Sequence, residues 1–455
     1  MSSDLFSRRS KRFIIPAFAL FFLASIIFFR DLPSSFSRDA HFEELSKPLT
    51  FDEDYIMTST LSASPVVHTE TVIADRPIEP VVFVLIMWSL SSAIEGSLLM
   101  KSVLMYTSSP VEFHIICDPT ARVHIEGRLA LLTNPRHQVN VFFYEPTYEA
   151  MQGRIEREGS IKTDHDSGLP GLMKLLIHEI LPPTVKKGIY VDTDAFFISD
   201  PTLLWNTFSI TKPETAVVLP SHPDQEAEVW NQASRICSCV MLLNLEKLRE
   251  LRAIDSSIYR KDIDPSHPPS LSPAAFKAMY GVPASGKYDN VKLGDQGYWW
   301  AIVQYRKDIW EPLNFDFEVT SCIMNMYNTG LGQDDATLEE EYAKHVYVPN
   351  TPQEGHAVLP KLLHFNCLHK TPIYMEWSGW SDPENRLNQD WGAAVRYHDG
   401  YKWIWLNQGP KQGSGIAGAP ATDHPSVVYP TVQINTMQDV VFADELYARQ
   451  HGIDY

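Results

Sequence analysis

The run Gly188-Ile189-Tyr190-Val191-Asp192-Thr193-Asp194-Ala195-Phe196-Phe197-Ile198 sets two acids one residue apart in an apolar stretch. The stretch reads as a buried strand, and ionised carboxylates there are costly unless a cation meets them. Hard divalent cations such as Mg²⁺ and Mn²⁺ take carboxylate oxygens and often share them with phosphates. Asp192 and Asp194 therefore point to a metal–nucleotide site at the carboxyl end of a strand. Spacing alone does not single them out, because Asp52/Asp54, Asp164/Asp166 and Asp262/Asp264 repeat it. Context does. The first of these lies in a polar stretch, the second follows Lys162-Thr163 in an expected loop, and the last runs into Pro265 and Pro268-Pro269.

Two other places carry chemistry-bearing residues. In Pro360-Lys361-Leu362-Leu363-His364 a short apolar strand delivers an imidazole, and Lys370 follows six residues later. Histidine can complete a carboxylate-rich metal site, and lysine can neutralise a diphosphate as a point charge. A histidine after a strand can equally be a hydrogen-bonded core residue. In Leu293-Gly294-Asp295-Gln296 the acid opens an apolar helix. Asp295 reads either as an N-cap or, with Gln296, as a polar group facing a sugar.

The elements that must position these residues begin with the apolar strand Val81 to Met87. A helix follows from Glu95 to Tyr106, with Leu98, Leu99, Val103 and Leu104 at helical spacing. Strands at 111–118 and 139–144 come next, then a helix carrying Leu172, Leu175, Leu176 and Ile180 that ends at Pro182-Pro183. Further strands are expected at 188–198, 216–219 and 239–245. Alternating strands and helices predict an α/β fold with a mostly parallel central sheet and helices on both faces. Ligands in such sheets bind beyond the carboxyl ends of the strands, where Asp192 and Asp194 fall.

The N-terminus suggests where the chain works. Phe13 to Phe29 carries no charge, follows Arg8, Arg9, Lys11 and Arg12, and is long enough to cross a thin bilayer as a helix. The positive flank stays cytoplasmic, so the remainder is expected in the lumen. Residues 1–12 then form a cytoplasmic tail, 13–29 an uncleaved signal anchor and 30–80 a Ser- and Pro-rich stem. Residues 408–455 read as a linker and C-terminal tail. With a net charge of −18 the chain lacks the basic balance of a nucleic-acid-binding protein. It contains no Asn-x-Ser/Thr sequon. Five cysteines are too few for a disulfide scaffold, allow one or two bridges, and leave at least one unpaired.

Phe113 to Asp118, Ser167-Gly168-Leu169-Pro170-Gly171-Leu172-Met173-Lys174-Leu175, Leu181-Pro182, Val191 to Asp194, Leu204-Trp205, Asp295-Gln296 and His364 to Lys370 follow one another in an order that resembles glycosyltransferase family 8. The resemblance is strongest to the xylosyltransferase domain of LARGE-type glycosyltransferases and covers roughly residues 81–375. It implies a GT-A nucleotide-sugar-binding fold over 81–407. It also implies metal-dependent transfer, with retention of configuration, from a UDP-sugar donor to a glycan or glycoprotein acceptor in the Golgi. By position, Asp192, Asp194 and His364 match the Mn²⁺ (or Mg²⁺) ligands, with Asp192 also on the donor side. Lys174 and Lys370 match donor-binding positions, and Asp295 and Gln296 match the catalytic pair near the transferred sugar and acceptor.

One departure stands out. Where the family shows Asn-x-Gly-Val, this chain has Cys237-Ser238-Cys239-Val240. A disulfide across one intervening residue is strained, and two cysteines alone make no metal site. The departure keeps open a non-catalytic protein of the same fold that binds a nucleotide sugar. A phosphatase with an aspartate nucleophile also uses Asp-x-Asp after a strand, but Phe196 stands where such enzymes prefer a small hydroxylated or β-branched residue. The aromatics Tyr374, Trp377, Trp380, Trp391, Trp403 and Trp405 read either as core packing or as faces that stack on sugar rings.

Overall fold

The computed structural model describes residues 79–223, 225–323, 358–368, 371–410, 430–436 and 440–455. The expected tail, anchor and almost all of the stem, together with Lys370, lie outside the described residues. Among the described residues no helix is long and apolar enough to cross a membrane.

Eight strands form the main sheet, in the order β11-β3-β2-β1-β4-β7-β6-β8. They are β1 (Val81–Met87), β2 (Val111–Cys117), β3 (Val139–Tyr144), β4 (Lys187–Val191), β6 (Val217–Pro220), β7 (Val240–Asn244), β8 (Trp310–Leu313) and β11 (Val432–Thr436). The run β11-β3-β2-β1-β4 is parallel, and β7 enters antiparallel between β4 and β6. The sheet is mixed and mostly parallel, as the strand–helix alternation requires. Its central strands are buried almost throughout, which matches their unbroken apolar sequence.

A smaller sheet holds β5 (Ala195–Phe197), β10 (Leu362–His364) and β9 (Val319–Thr320), with β10 in the middle. The strand expected over 188–198 is therefore two strands, one in each sheet. The polar residues between them carry the switch. The Asp192 N–H donates to the Cys239 carbonyl at 2.8 Å and extends the ladder with β7. The Asp194 carbonyl accepts from the Phe365 N–H at 2.8 Å and begins the ladder with β10.

Helix Leu90–Tyr106 starts directly after β1, with Ser89 and Ser92 in a reciprocal capping box. Asp118 caps helix Pro119–Leu129 by accepting from the Ala121 N–H at 2.8 Å. The helix expected to end at Pro182-Pro183 is broken into Gly168–Leu172, Met173–Leu176 and Ile177–Ile180. Its middle piece carries Lys174. A second core packs the small sheet against helix Arg386–Gly400 through Phe196, Leu363, Phe365, Trp380 and Trp391. Tyr374, Trp380, Trp391 and Trp403 are buried in packing, whereas Trp405 is 52% exposed.

The C-terminal residues join the fold. β11 pairs with β3 at the edge of the main sheet, and helix Ala443–His451 brings Asp444 to the buried Arg154. Arg157 donates to both Asp444 oxygens, at 2.8 and 2.9 Å, and Ser256 donates to one at 2.7 Å. Burial opposes the charge on Asp444, but the two arginines hold it below the usual carboxylate range. Removing one member of a buried ion network strands the others. Asp444→Ala is expected to destabilise the protein by about 3–5 kcal/mol, read as a lowered midpoint in urea denaturation. An unchanged midpoint would show that the C-terminal helix contributes nothing to stability.

Candidate active site

Three segments far apart in sequence converge at the switch between the sheets. The β5–β10 pairing sets Ala195 opposite His364 and leaves His364 Nε2 3.3 Å from Asp194 Oδ1. One ligand atom from each of Asp192, Asp194 and His364 can lie within 4.8 Å of the others. The carboxylates are about a quarter exposed and the imidazole is buried. Two partly exposed acids and one buried ring nitrogen make a donor set that fits a divalent cation.

The charges around it are balanced from the protein side. Lys174 Nζ lies 2.7 Å from Asp192 Oδ1 and 3.6 Å from Asp295. The same Asp192 oxygen accepts from the Tyr190 hydroxyl at 2.5 Å. Burial works against the Lys174 charge, but Asp192 and Asp295 outweigh it and raise its pKa. Burial also opposes charge on His364, yet Asp194 and Glu318 outweigh it and raise the imidazole to about 10. Asp194 is held below the usual carboxylate range by His364 and Lys174, despite its burial.

Asp295 is the first residue of helix Asp295–Tyr305 and makes no capping hydrogen bond there. The N-cap reading is thus set aside: Gly294 occupies that position. Asp295 is buried, and among the described residues its Oδ2 has no hydrogen-bond partner. Burial raises its carboxyl to about 6, against the pull of Lys174 and with the push of Asp192. An orphaned buried acceptor beside Lys174 suits a ligand hydroxyl. Gln296 is employed differently. Its amide donates to the Ala233 carbonyl at 2.9 Å and accepts from the Ser238 N–H at 3.4 Å, so it fixes the 233–238 loop.

Sequence reasoning missed two acids. Glu95 sits in helix Leu90–Tyr106 and accepts from the Tyr374 N–H at 2.8 Å. Burial, with Asp194 adding to it, pushes Glu95 up to about 8. The signal was present, since Glu95 is the single charged residue between Leu90 and Met100 and precedes Gly96. A Cβ at Gly96 would clash with the Met87 side chain and stand 3.2 Å from that of Thr193, so the glycine lets the helix lie close to β1 and to the turn between the two acids. Glu318, just before β9, lies 3.8 Å from His364 Nδ1, and its other oxygen is 2.9 Å from His222 Nε2. No local pattern marks it. A cavity of about 860 Å³ opens elsewhere, between Val82, Glu112, Lys187 and Trp205.

No protein-family model matches the chain. Over 173 residues it is 33% identical to the xylosyl- and glucuronyltransferase LARGE2 of Mus musculus, covering 38% of this chain and 23% of the relative. It is 32% identical over 164 residues to LARGE1 of Danio rerio, covering 34% and 21%. The matched region thus spans less than a quarter of these curated relatives. Among solved structures it is similar to mouse xyloside xylosyltransferase 1 in its apo form. The TM-score there is 0.43 and the identity 14%, over 64% of this chain and 98% of that one. It is also similar to the galactosyltransferase LgtC in complex with donor and acceptor sugar analogs. That TM-score is 0.42 and the identity again 14%, over 70% and 95%. The similarity to LARGE-type glycosyltransferases read in the ordered motifs is present in these comparisons too.

The turn that delivers Asp295 is demanding. Leu293 and Gly294 both have φ of 61°, and Gly294 has ψ of −128°, a combination that favours glycine. A Cβ at Gly294 would also stand 3.3 Å from the His165 ring. Gly294→Ala is expected to destabilise the protein by about 1–3 kcal/mol, seen as an earlier urea transition. A variant as stable as the parent would mean that this turn relaxes freely.

Proposed function

We propose that this chain is a retaining glycosyltransferase of GT-A fold that moves a sugar from a UDP-sugar to a glycan or glycoprotein acceptor. One observation carries the reading. Asp192, Asp194 and His364 gather at the carboxyl end of a mostly parallel sheet, flanked by Lys174 and Asp295. Asp192, Asp194 and His364 would hold a divalent cation, Mn²⁺ in the first instance. When bound, the cation stabilises the negative charge on the departing nucleoside diphosphate.

The residues of the chain supply the rest. Lys174 and the Tyr190 hydroxyl orient the Asp192 carboxylate. Asp295 offers its free oxygen to a sugar hydroxyl, and Gln296 keeps the 233–238 loop in place beside it. Lys370 is assigned to the diphosphate on the resemblance alone. The names of the curated relatives make UDP-xylose the first donor to test and UDP-glucuronic acid the second.

With the detergent-solubilised full chain and Mn²⁺, a screen of UDP-sugars is expected to give slow donor hydrolysis on at least one sugar. Chelation should abolish it, and Asp194→Asn should lower it by about a hundredfold or more, because a metal-held charge contributes several kcal/mol. The Cys237-Ser238-Cys239 loop, which departs from the family pattern beside Gln296, favours one second reading: a protein that binds the donor without transferring it. Donor-dependent thermal stabilisation with no turnover on any UDP-sugar would establish that reading instead. Nucleotide-independent phosphatase activity would sink both.

The same proposal assigns the protein to the Golgi membrane as a single-pass type II protein, on the strength of the apolar run 13–29 and its basic flank. In microsomes the chain should resist carbonate extraction and be protected from protease until detergent is added. Release by carbonate would remove the anchor from this account.

A further inference from the structure

The Cys237-Ser238-Cys239 loop lies directly behind the proposed cation site. Cys237 is bonded to Cys239, and Cys322 to Cys367. Cys239 Sγ stands 3.5 Å from Glu318 Oε1, and His364 Nδ1 stands 3.8 Å from the same oxygen. His222 holds the other Glu318 oxygen at 2.9 Å, which leaves Oε1 turned toward the sulfur and the imidazole. At 3.8 Å the imidazole makes no hydrogen bond to Glu318. Among the described residues His364 Nδ1 has no hydrogen-bond partner, although the residue is 1% exposed.

One ligand atom from each of Cys237, Cys239, Glu318 and His364 can lie within 4.8 Å of the others, and all four residues are buried. Ligands bound at about 2.0–2.3 Å around a tetrahedral ion sit about 3.3–3.8 Å apart. The separations of Glu318 from sulfur and from imidazole already fall in that range. The two sulfurs are too close only because they are bonded to each other.

We propose that reduction of the Cys237–Cys239 bridge creates a second cation site, with two thiolates, the Glu318 carboxylate and His364 Nδ1 as ligands for a thiophilic divalent ion such as Zn²⁺. A dithiol reductant supplies two electrons and two protons, the S–S bond breaks, two thiols form, and the reductant leaves as its own disulfide. The arriving ion then displaces both thiol protons, and the proton carried on His364 Nδ1, to solvent. Cys237, 9% exposed against 1% for Cys239, is the sulfur closer to solvent. The bridge closes a ring over one intervening residue, so it removes less chain entropy than the bridge that spans 45 positions.

The site has a consequence for its neighbour, and this step alone rests on the proposed function. A neutral imidazole offers one lone pair. His364 can give it from Nε2 toward Asp192 and Asp194, or from Nδ1 toward the thiolates, but not from both at once. The redox state of the pair thus decides which cation site is complete.

The test is a Co²⁺ titration of the detergent-solubilised full chain, before and after reduction with a water-soluble phosphine that is then removed. The reduced protein is expected to develop a thiolate-to-cobalt charge-transfer band that the oxidised protein lacks, a comparison that needs no variant. The band should vanish in Cys237→Ser and in Cys239→Ser. It should persist in Cys322→Ser, which removes the other bridge, and in Asp192→Asn, which damages only the carboxylate site. Persistence in Asp192→Asn keeps this proposal apart from the glycosyltransferase reading, since either can fail without the other. Absence of the band from the reduced wild-type protein, or its survival in Cys239→Ser, would overturn the proposal.

Discussion

The pairing of three residues with three others holds the site together. Ala195–Phe197 runs antiparallel to Leu362–His364, and that short ladder is what brings an imidazole to a carboxylate some 170 positions earlier in the chain. Parallel pairing of His364 with Thr320 then brings Glu318, two residues before Thr320, behind the same ring. The apolar residues of these strands make the ladder worthwhile. Phe196, Leu363 and Phe365 are buried against Tyr374, Trp380 and Trp391. Packing on one side of the small sheet thus fixes the chemistry on its edge. The aromatic-rich C-terminal region serves the site by supporting it, with four of its six large aromatics buried in packing.

Holding two carboxylates, a third behind an imidazole and a fourth at a helix start in one small volume is electrostatically expensive. The structure answers with the buried Lys174 ammonium between Asp192 and Asp295 and with the His364 ring beside Asp194 and Glu318. Lys174 shares its charge between Asp192 and Asp295 and lies over the Tyr190 ring, 5.1 Å from its centroid. The groups left with raised pKa values, Glu95 and Asp295, are those with the least compensation. Such mismatch between burial and compensation is typical of sites that complete themselves with a ligand.

Much of this was legible in the sequence, and what was not has physical reasons. The parallel strands announced themselves as unbroken apolar runs. Asp192 and Asp194 stood out because they interrupt one of these runs, and His364 because it ends another. The run 188–198 was read as one strand because periodicity cannot see a change of sheet. Both halves are buried, and only the partners of Asp192 and Asp194 reveal the break. Asp295 was read as a possible cap because helix-start signals are local, whereas its burial beside Lys174 is a tertiary fact. Glu318 was invisible: its neighbours in sequence are ordinary, and its meaning comes from His222, Cys239 and His364. The edge strand Val432–Thr436 followed a stretch of Gly, Pro and Ser, where composition pointed to a tail.

The 233–239 loop holds its neighbours through its backbone. The Cys239 carbonyl accepts from Asp192, and the Ser238 N–H and Ala233 carbonyl are held by Gln296. These contacts use the loop's backbone, so they do not depend on the side chains at 237 and 239. The loop therefore positions Asp192 through its backbone, while its side chains set two sulfurs near Glu318 and His364. A loop that held its neighbours only through side-chain packing would not have that freedom.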